Sequence, residues 1–245
     1  LVEQCTQVTL DRGERRMREA IGRLQPGQHY HEQYMESPSD GSPLLIRIRL
    51  AVQKDSIVVD FSGSAPQTPG AVNGGLASVP SGAFIAIKAA LDPHSPVNAG
   101  AFRPITVITE EGSMLQAKYP AACCGAMNVI NAATEAVMKT LAPAYPEGVI
   151  ADAVPILGPH FFSGWDEKRQ RRYLHFEAII GGTGAVKEHD GNNVVAGYER
   201  SDFGRIFPAE GIETTFPLRV EKTELVVNSG GAGYRHVAAL AAPLI

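Results

Sequence analysis

The sequence predicts an α+β fold: a mixed, largely antiparallel sheet with hairpins, and three or more packed helices. Three observations lead there. Apolar residues alternate cleanly along 44–52, helical spacing recurs in three separate stretches, and 25 glycines and 17 prolines punctuate the chain with turns. Strands in hairpins with intervening helices give α+β order and not that of a doubly wound sheet.

The first helix is expected over about residues 5–24, where Leu10, Met17 and Leu24 repeat at seven-residue spacing before Pro26-Gly27 ends it. Arg15, Arg16 and Arg18 then fall mostly on its solvated face. Between Leu44 and Val52 the side chains of Ile46, Ile48, Leu50 and Val52 share one side of a strand, with Arg47 and Arg49 on the other. Lys54-Asp55-Ser56 turns the chain back into Ile57-Val58-Val59, making a hairpin. That strand runs into a loop holding Asp60, Ser62 and Ser64, broken by Gly63, Pro66, Pro69 and Gly70. A loop of this composition, hung from a sheet, is a rigid mount for polar groups.

Ser78 is placed to cap a second helix, with Pro80 in its first turn, Phe84, Ile87 and Leu91 on its apolar face, and Asp92-Pro93 at its end. An irregular stretch at 94–104 precedes a strand at 105–109, and Glu111-Gly112 turns into a short segment through Leu115. A third helix follows Cys123-Cys124-Gly125, with Met127, Ile130, Thr134, Val137 and Leu141 on one face and Pro143 beyond it. Strand-like runs at 149–157 and 172–180 flank a polar tip at 163–169. After Gly181-Gly182-Thr183-Gly184 comes a polar span, and alternation returns between Glu213 and Val227. Residues 1–245 are expected to form one compact unit truncated at both ends, because the chain opens without Met inside a helical pattern and stops in the apolar run 240–245.

Composition excludes several functions. A net charge of −4 with dispersed Lys and Arg lacks the concentrated basic face that nucleic acid requires. No apolar run reaches membrane-spanning length, and no signal peptide opens the chain. Cys5, Cys123 and Cys124 do not make a disulfide framework, so a reducing cytoplasm is the expected location. The dipeptide Gly-Lys occurs nowhere, which excludes a Walker-type phosphate loop, and Lys187 stands where a dinucleotide fingerprint would need its last glycine. His29 and His31 would share a strand face but make only half a metal site. His94 and His189, in polar loops, are candidates for proton transfer; His175, beside Glu177, reads as packed. Cys123-Cys124 precedes a helix, where a thiol can be activated or simply serve as a small packed residue.

Several segments together resemble the hydantoinase B family, shared with the C-terminal half of 5-oxoprolinases and with the large subunits of acetone and acetophenone carboxylases. They are GERRMREAI at 13–21, VDFSGSAPQTPGAVN at 59–73, NAGAFRPITVITEEGS at 98–113, GGTGA at 181–185, FPLRVEKTEL at 216–225 and NSGGAG at 228–233. Two stretches depart from the family pattern: Cys123-Cys124-Gly125-Ala126-Met127-Asn128 replaces a glycine-rich turn, and 193–207 is poorer in His, Thr and Asn.

The resemblance implies the C-terminal portion of a B-type subunit of an ATP-dependent cyclic amide hydrolase, active with a hydantoinase A-type subunit or domain in an oligomeric assembly. ATP and a divalent metal are expected in the complete enzyme, with the metal ligands before residue 1 and no metal or cofactor in this part. A small cyclic amide or ketone is the expected substrate. Two alternatives stay open: a subunit of an acetone- or acetophenone-type carboxylase, and a non-catalytic scaffold that docks the ATP-using partner. Within the leading reading Asp60, Ser62, Ser64 and Arg103 are the candidate catalytic residues, with Asp60 to orient or deprotonate and Arg103 to clamp a carboxylate or carbonyl oxygen. Asn73, Asn98, Gly182 and Thr183 are the candidate substrate-binding residues.

Overall fold

Small and apolar residues at Gly13, Met17, Ala20 and Ile21 line one side of the opening segment, and this stripe folds it as helix α1, Val2–Ile21, with its arginines outward. The computed structural model describes residues 1–151, 158–179, 181–195, 207–232 and 241–244. They fall into two compact units, 1–149 and 150–245.

The first unit is built on a four-stranded sheet in the order β1-β2-β3-β4: Gly27–Glu36, Pro43–Val52, Ile57–Asp60 and Ile105–Ile108. The antiparallel β2–β3 pairing is the hairpin the sequence predicts, β1 adds to it antiparallel as a strand the sequence reading does not assign, and β3 pairs with β4 in parallel. The sequence pattern does not predict that parallel pair. It follows from the crossover through helices α2, Ser78–Leu91, and α3, Ala99–Phe102, which returns the chain to run alongside β3.

The alternation at 44–52 sorts the sheet's faces as expected: Ile46, Ile48, Leu50 and Val52 enter the core while Arg47 and Arg49 face out. Helix α4, Ala126–Leu141, lies against β1 and β2, and Gln33 of β1 donates to the Ala132 carbonyl of α4 at 2.7 Å. Helix α2 packs against α4 in the same direction. Gly82, near the start of α2, abuts the Ile130 carbonyl and Thr134 hydroxyl of α4, and Ala90, near its end, approaches Gly148 beyond α4.

Three local expectations are corrected. Ser78 does not cap α2; Ala77 is the N-cap residue, and the Ser78 hydroxyl accepts instead from the Gly75 amide at 3.0 Å. Helix α1 ends at Ile21, so Leu24 is buried from the turn that follows it. In α4, Thr134, Val137 and Leu141 are buried as expected, but Met127 is exposed and Ile130 half-buried, because the first turn is embedded through Val129 and the helix is buried on more than one side beyond it.

In the second unit β5, Gly158–Asp166, and β6, Arg171–Ile179, form an antiparallel hairpin. Residues 152–157 of the expected strand lie outside the described residues, and Ser163 to Asp166, expected as loop, are strand. The turn is confined to 167–170, where Asp166 Oδ1 accepts from the Lys168 and Arg169 amides, both at 3.0 Å. His175 is buried, as the sequence predicts; it pairs with the buried Glu177 at 3.2 Å, and its ring packs 4.6 Å from that of Phe216. The alternation at 213–227 is a strand only over β7, Lys222–Leu225, which pairs with β8, Ala241–Leu244. Its first residues belong to helix α5, Ala209–Thr215, whose one buried side chain is Ile212.

Candidate functional site

The loop that leaves β3 is tied to β2, to the segment after β4 and to the start of α4. Its course is set by backbone geometry and three side chains. Gly63 adopts φ +84°, its amide donates to Glu110 Oε2 at 3.0 Å, and a Cβ there would meet Arg47 Nη1 at 2.9 Å. Ser64 clamps the loop to β2: its hydroxyl accepts from the Arg47 amide at 3.1 Å and donates to the Phe61 carbonyl at 2.7 Å. Backbone bonds then tie Ala65 to Leu45 and Met114, Gln67 to Gly112, and Gly74 to Met114 and Ala117.

Asn73 closes the loop from inside. With 0% of its surface exposed, it accepts from the Thr68 amide at 2.8 Å and shares its two N–H groups among the carbonyls of Thr68, Gly70 and Ala122 at 3.0–3.1 Å. The last contact, with a bond from the Gly125 amide to the Ala71 carbonyl, seats the start of α4 on the loop. Asn73 therefore holds structure and presents nothing to solvent.

Asp60 ends β3 on the outer face of the sheet, where Arg49 Nη2 donates to it at 2.7 Å and the Ser62 amide at 2.9 Å. Burial alone would raise its carboxyl, but hydrogen bonds from Ser62 and the Arg49 guanidinium outweigh burial and hold it below the ordinary carboxylate value. Asp60 is thus an anion and an acceptor. It lines a shallow cleft of about 230 Å³ with Gln28, Tyr30, Arg49, Ala51 and Val58. A second cleft, of about 510 Å³, lies between Ser64, Pro66, Glu110, Glu111, Gly112 and Ser113. Sequence reasoning gives Glu110 and Glu111 no role, although they sit in the family-like run at 98–113. An acidic pair at a turn reads as solvated surface until the fold places it across from Ser64.

Arg103 lies elsewhere. It donates to Glu14 and Asp11 of α1, both at 3.0 Å, and these carboxylates raise its guanidinium further above its ordinary value. Asn98 caps α3 by accepting from the Gly100 and Ala101 amides at 2.9 and 3.3 Å, and Gly100 abuts the Leu10 carbonyl, so this corner is an α1–α3 contact. Asp60 is level with Ile108 in the register, at the far end of β4 from Arg103. The length of β4, Ile105 to Ile108, alone sets the two apart by roughly 10 Å. The structure brings Asp60, Ser62 and Ser64 into one loop, sets Asn73 behind them, and does not bring Arg103 or Asn98 to that site.

Gly182 and Thr183 belong to the second unit. Thr183 exchanges bonds with Asn192, its amide donating to the Asn192 carbonyl at 3.1 Å and its hydroxyl accepting from the Asn192 amide at 2.8 Å. The segment is a closed polar loop, and no helix opens from it over residues 181–195. His94 and His189 are exposed; His29 and His31 share the inner side of β1. Among the described residues no three His, Cys, Asp or Glu side chains converge as a metal-ligand set. Cys124 is exposed, and the Cys123 thiol donates to the Ala121 carbonyl at 3.7 Å.

The sequence profile of one family, hydantoinase B/oxoprolinase, matches residues 1–238. The chain belongs to that family. A protein named as the B component of a D-/L-hydantoinase, from Pseudomonas sp. (strain NS671), is 27% identical over 244 residues, which are 95% of this chain and 40% of the relative. A 5-oxoprolinase of Dictyostelium discoideum is 26% identical over 79% of this chain and 14% of its own length. The family member therefore spans less than half of these relatives. Among solved structures, an ATP-dependent caprolactamase from Pseudomonas jessenii aligns with TM-score 0.87 and 23% identity, over 99% of this chain and 42% of that one. An acetone carboxylase aligns with TM-score 0.83 and 18% identity, over 93% and 32%. Both share the fold of the family.

Proposed function

We propose that this chain is part of the B-type subunit of an ATP-dependent enzyme that hydrolyses a cyclic amide, working with a hydantoinase A-type subunit or domain. The observation that carries the reading is the family match across nearly the whole chain, joined by relatives named as a hydantoinase B component and a 5-oxoprolinase. In this reading the A-type partner uses ATP to activate the lactam carbonyl and the B-type subunit completes the hydrolysis. The same reading assigns nucleotide and metal ion to the rest of the assembly.

The chain's own contribution centres on the loop after β3. Asp60, held ionised, orients or accepts a proton at the sheet face, while Ser62 and Ser64 shape the loop between the two clefts. Glu110 and Glu111 give the larger cleft an acidic wall beside Ser64. Arg103 acts through α1, as a positioning residue and not on the reacting carbonyl.

A second reading draws on a specific observation. Ser64, Asn73, Asn98 and Arg103 all bond to other groups of the chain itself. A scaffold that docks the ATP-using partner needs no more than that. The test is reconstitution of the full-length subunit with its A-type partner, assaying ATP-dependent turnover of hydantoin against that of a ketone with bicarbonate. Hydantoin turnover that falls sharply in Asp60→Ala with assembly intact supports the hydrolase. Turnover of the ketone alone moves the chain to the carboxylases, and wild-type turnover in Asp60→Ala with weakened assembly in loop variants leaves it a scaffold.

A further inference from the structure

On the outer face of the first unit's sheet the register sets two rows of side chains across three strands: Gln28, Ala51 and Val58 in one, Tyr30, Arg49 and Asp60 in the next. Ala51 and Val58 are short beside their neighbours, and they floor the cleft of about 230 Å³ that Asp60 lines. The rows lie about 7 Å apart and the strands about 4.8 Å apart, so the floor has the footprint of a small ring. Tyr30, 65% exposed, stands at its edge and donates its hydroxyl to Gln28 Oε1.

The polar groups around this floor are only partly used. Arg49 Nη2 donates to Asp60 Oδ2 at 2.7 Å, and among the described residues its other guanidinium N–H groups meet no acceptor. Asp60 accepts from Ser62 and from Arg49, and 22% of its side chain still reaches solvent, which leaves room for one more donor. A donor and an acceptor thus stand side by side at the rim, and their charges cancel. The other charges that the four strands carry on this face are Glu32 and Arg47 in the following row, paired with each other at 2.7 Å, and Glu36 at the end of β1. Glu110, just beyond β4, is engaged by the Gly63 amide.

A ring amide matches this edge and an open one does not. Ring closure holds the amide cis, with N–H and C=O side by side, whereas an open secondary amide is trans and turns them to opposite sides. A free carboxylate would meet Arg49 but be repelled by Asp60, and a zwitterion would give up the hydration of two full charges. We propose, resting on the hydrolase reading above, that this cleft holds the cyclic amide by its cis edge, the ring N–H donating to Asp60 and the ring carbonyl accepting from Arg49. The ring lies on Ala51 and Val58 beside Tyr30. Arg49 and Asp60 are then binding residues that select a ring amide over an open one.

The experiment titrates the isotope-labelled 245-residue chain with hydantoin and follows backbone amide and Arg49 side-chain resonances by NMR. N-methylacetamide, an open trans amide, and N,N′-dimethylhydantoin, a ring without N–H, are the comparison probes. The expected result is saturable shifts at Ser62 and Arg49 with hydantoin, and binding about tenfold weaker for both comparison probes. Arg49→Gln weakens hydantoin about tenfold, while the rest of its spectrum stays that of the parent because the side chain is half exposed. In the full-length subunit reconstituted with its A-type partner, the same variant raises KM for hydantoin by a similar factor. No saturable shift with hydantoin, equal binding of N-methylacetamide, or an unchanged KM in Arg49→Gln overturns the ring site, and hydantoin turnover by the parent assembly then keeps the hydrolase reading. A parent assembly that does not turn over hydantoin, with hydantoin still bound at Arg49, overturns the hydrolase reading and leaves the ring site standing.

Discussion

Replacing Asn73 by alanine tests whether the loop after β3 is held from within. The carboxamide makes four hydrogen bonds, to the Thr68 amide and to the carbonyls of Thr68, Gly70 and Ala122, in a site closed to solvent. Each such bond is worth about 1 kcal/mol net, and a buried group left without its partner costs about 1–3 kcal/mol. The Thr68 amide loses its acceptor outright, whereas the three carbonyls share two N–H groups and lose less each. The expected loss is about 3–5 kcal/mol, a large part of the roughly 5–15 kcal/mol that holds a domain folded. In urea titrations followed by circular dichroism, the unfolding midpoint of the variant falls accordingly. A loss below about 1 kcal/mol refutes the assignment of Asn73 as the loop's internal tie.

Lys88→Met removes a buried ammonium that donates to the Ser95 carbonyl and hydroxyl, both at 3.0 Å, and pairs with Asp92 at 3.2 Å. It costs about 3–5 kcal/mol in urea unfolding, most of which a double change with Asp92→Leu restores. Burial alone would raise the Asp92 carboxyl, but hydrogen bonds from Ser95 and Lys88 and the charge of Arg16 hold it below its ordinary value. Its folded value is below its unfolded one, so its contribution is complete above the unfolded value and is lost as pH falls below about 4; Asp92→Asn flattens that part of a stability–pH profile. Gly63→Ala forces a Cβ into positive φ against Arg47 and costs about 1–2 kcal/mol, read as a lower thermal midpoint. Arg103→Ala, whose ion pairs lie at the surface, leaves the unfolding midpoint near the parent's, so a fall in turnover of the assembled enzyme isolates its positioning of α1.

The elements legible in the sequence are those whose period is written in one stretch. The strand at 44–52 carries its buried face in its own spacing and the structure matches it, while in helix α1 Met17 is buried as expected and the rest of the buried stripe is Gly13, Ala20 and Ile21. The pairing of β3 with β4 is not legible, because two short apolar runs say nothing of which strand lies between them. The end of helix α5, residues 213–215, reads as the start of the alternating stretch because Ile212 is the one residue the helix buries, which leaves no periodic stripe to find. At the candidate site, the loop's composition marks Asp60, Ser62 and Ser64 as neighbours, which they are. Asn98 and Arg103 group with them in sequence because polar residues in irregular segments look alike until the register sets them at opposite ends of one strand pair.

The parallel partnership of β3 and β4 also orders events during folding. The β1–β2 hairpin can close through the short turn between Glu36 and Pro43, whereas β4 reaches β3 only after residues 61–104 have been gathered into the loop, α2 and α3. Closing so long an excursion costs chain entropy that local contacts must first offset. The loop that carries Asp60 and Ser64 therefore takes its final shape late, when the segment holding Glu110 arrives to meet it. The cleft between Ser64 and Glu110 therefore exists only once the chain beyond β4 is in place, whereas the smaller cleft beside Asp60 needs no more than β1, β2 and β3.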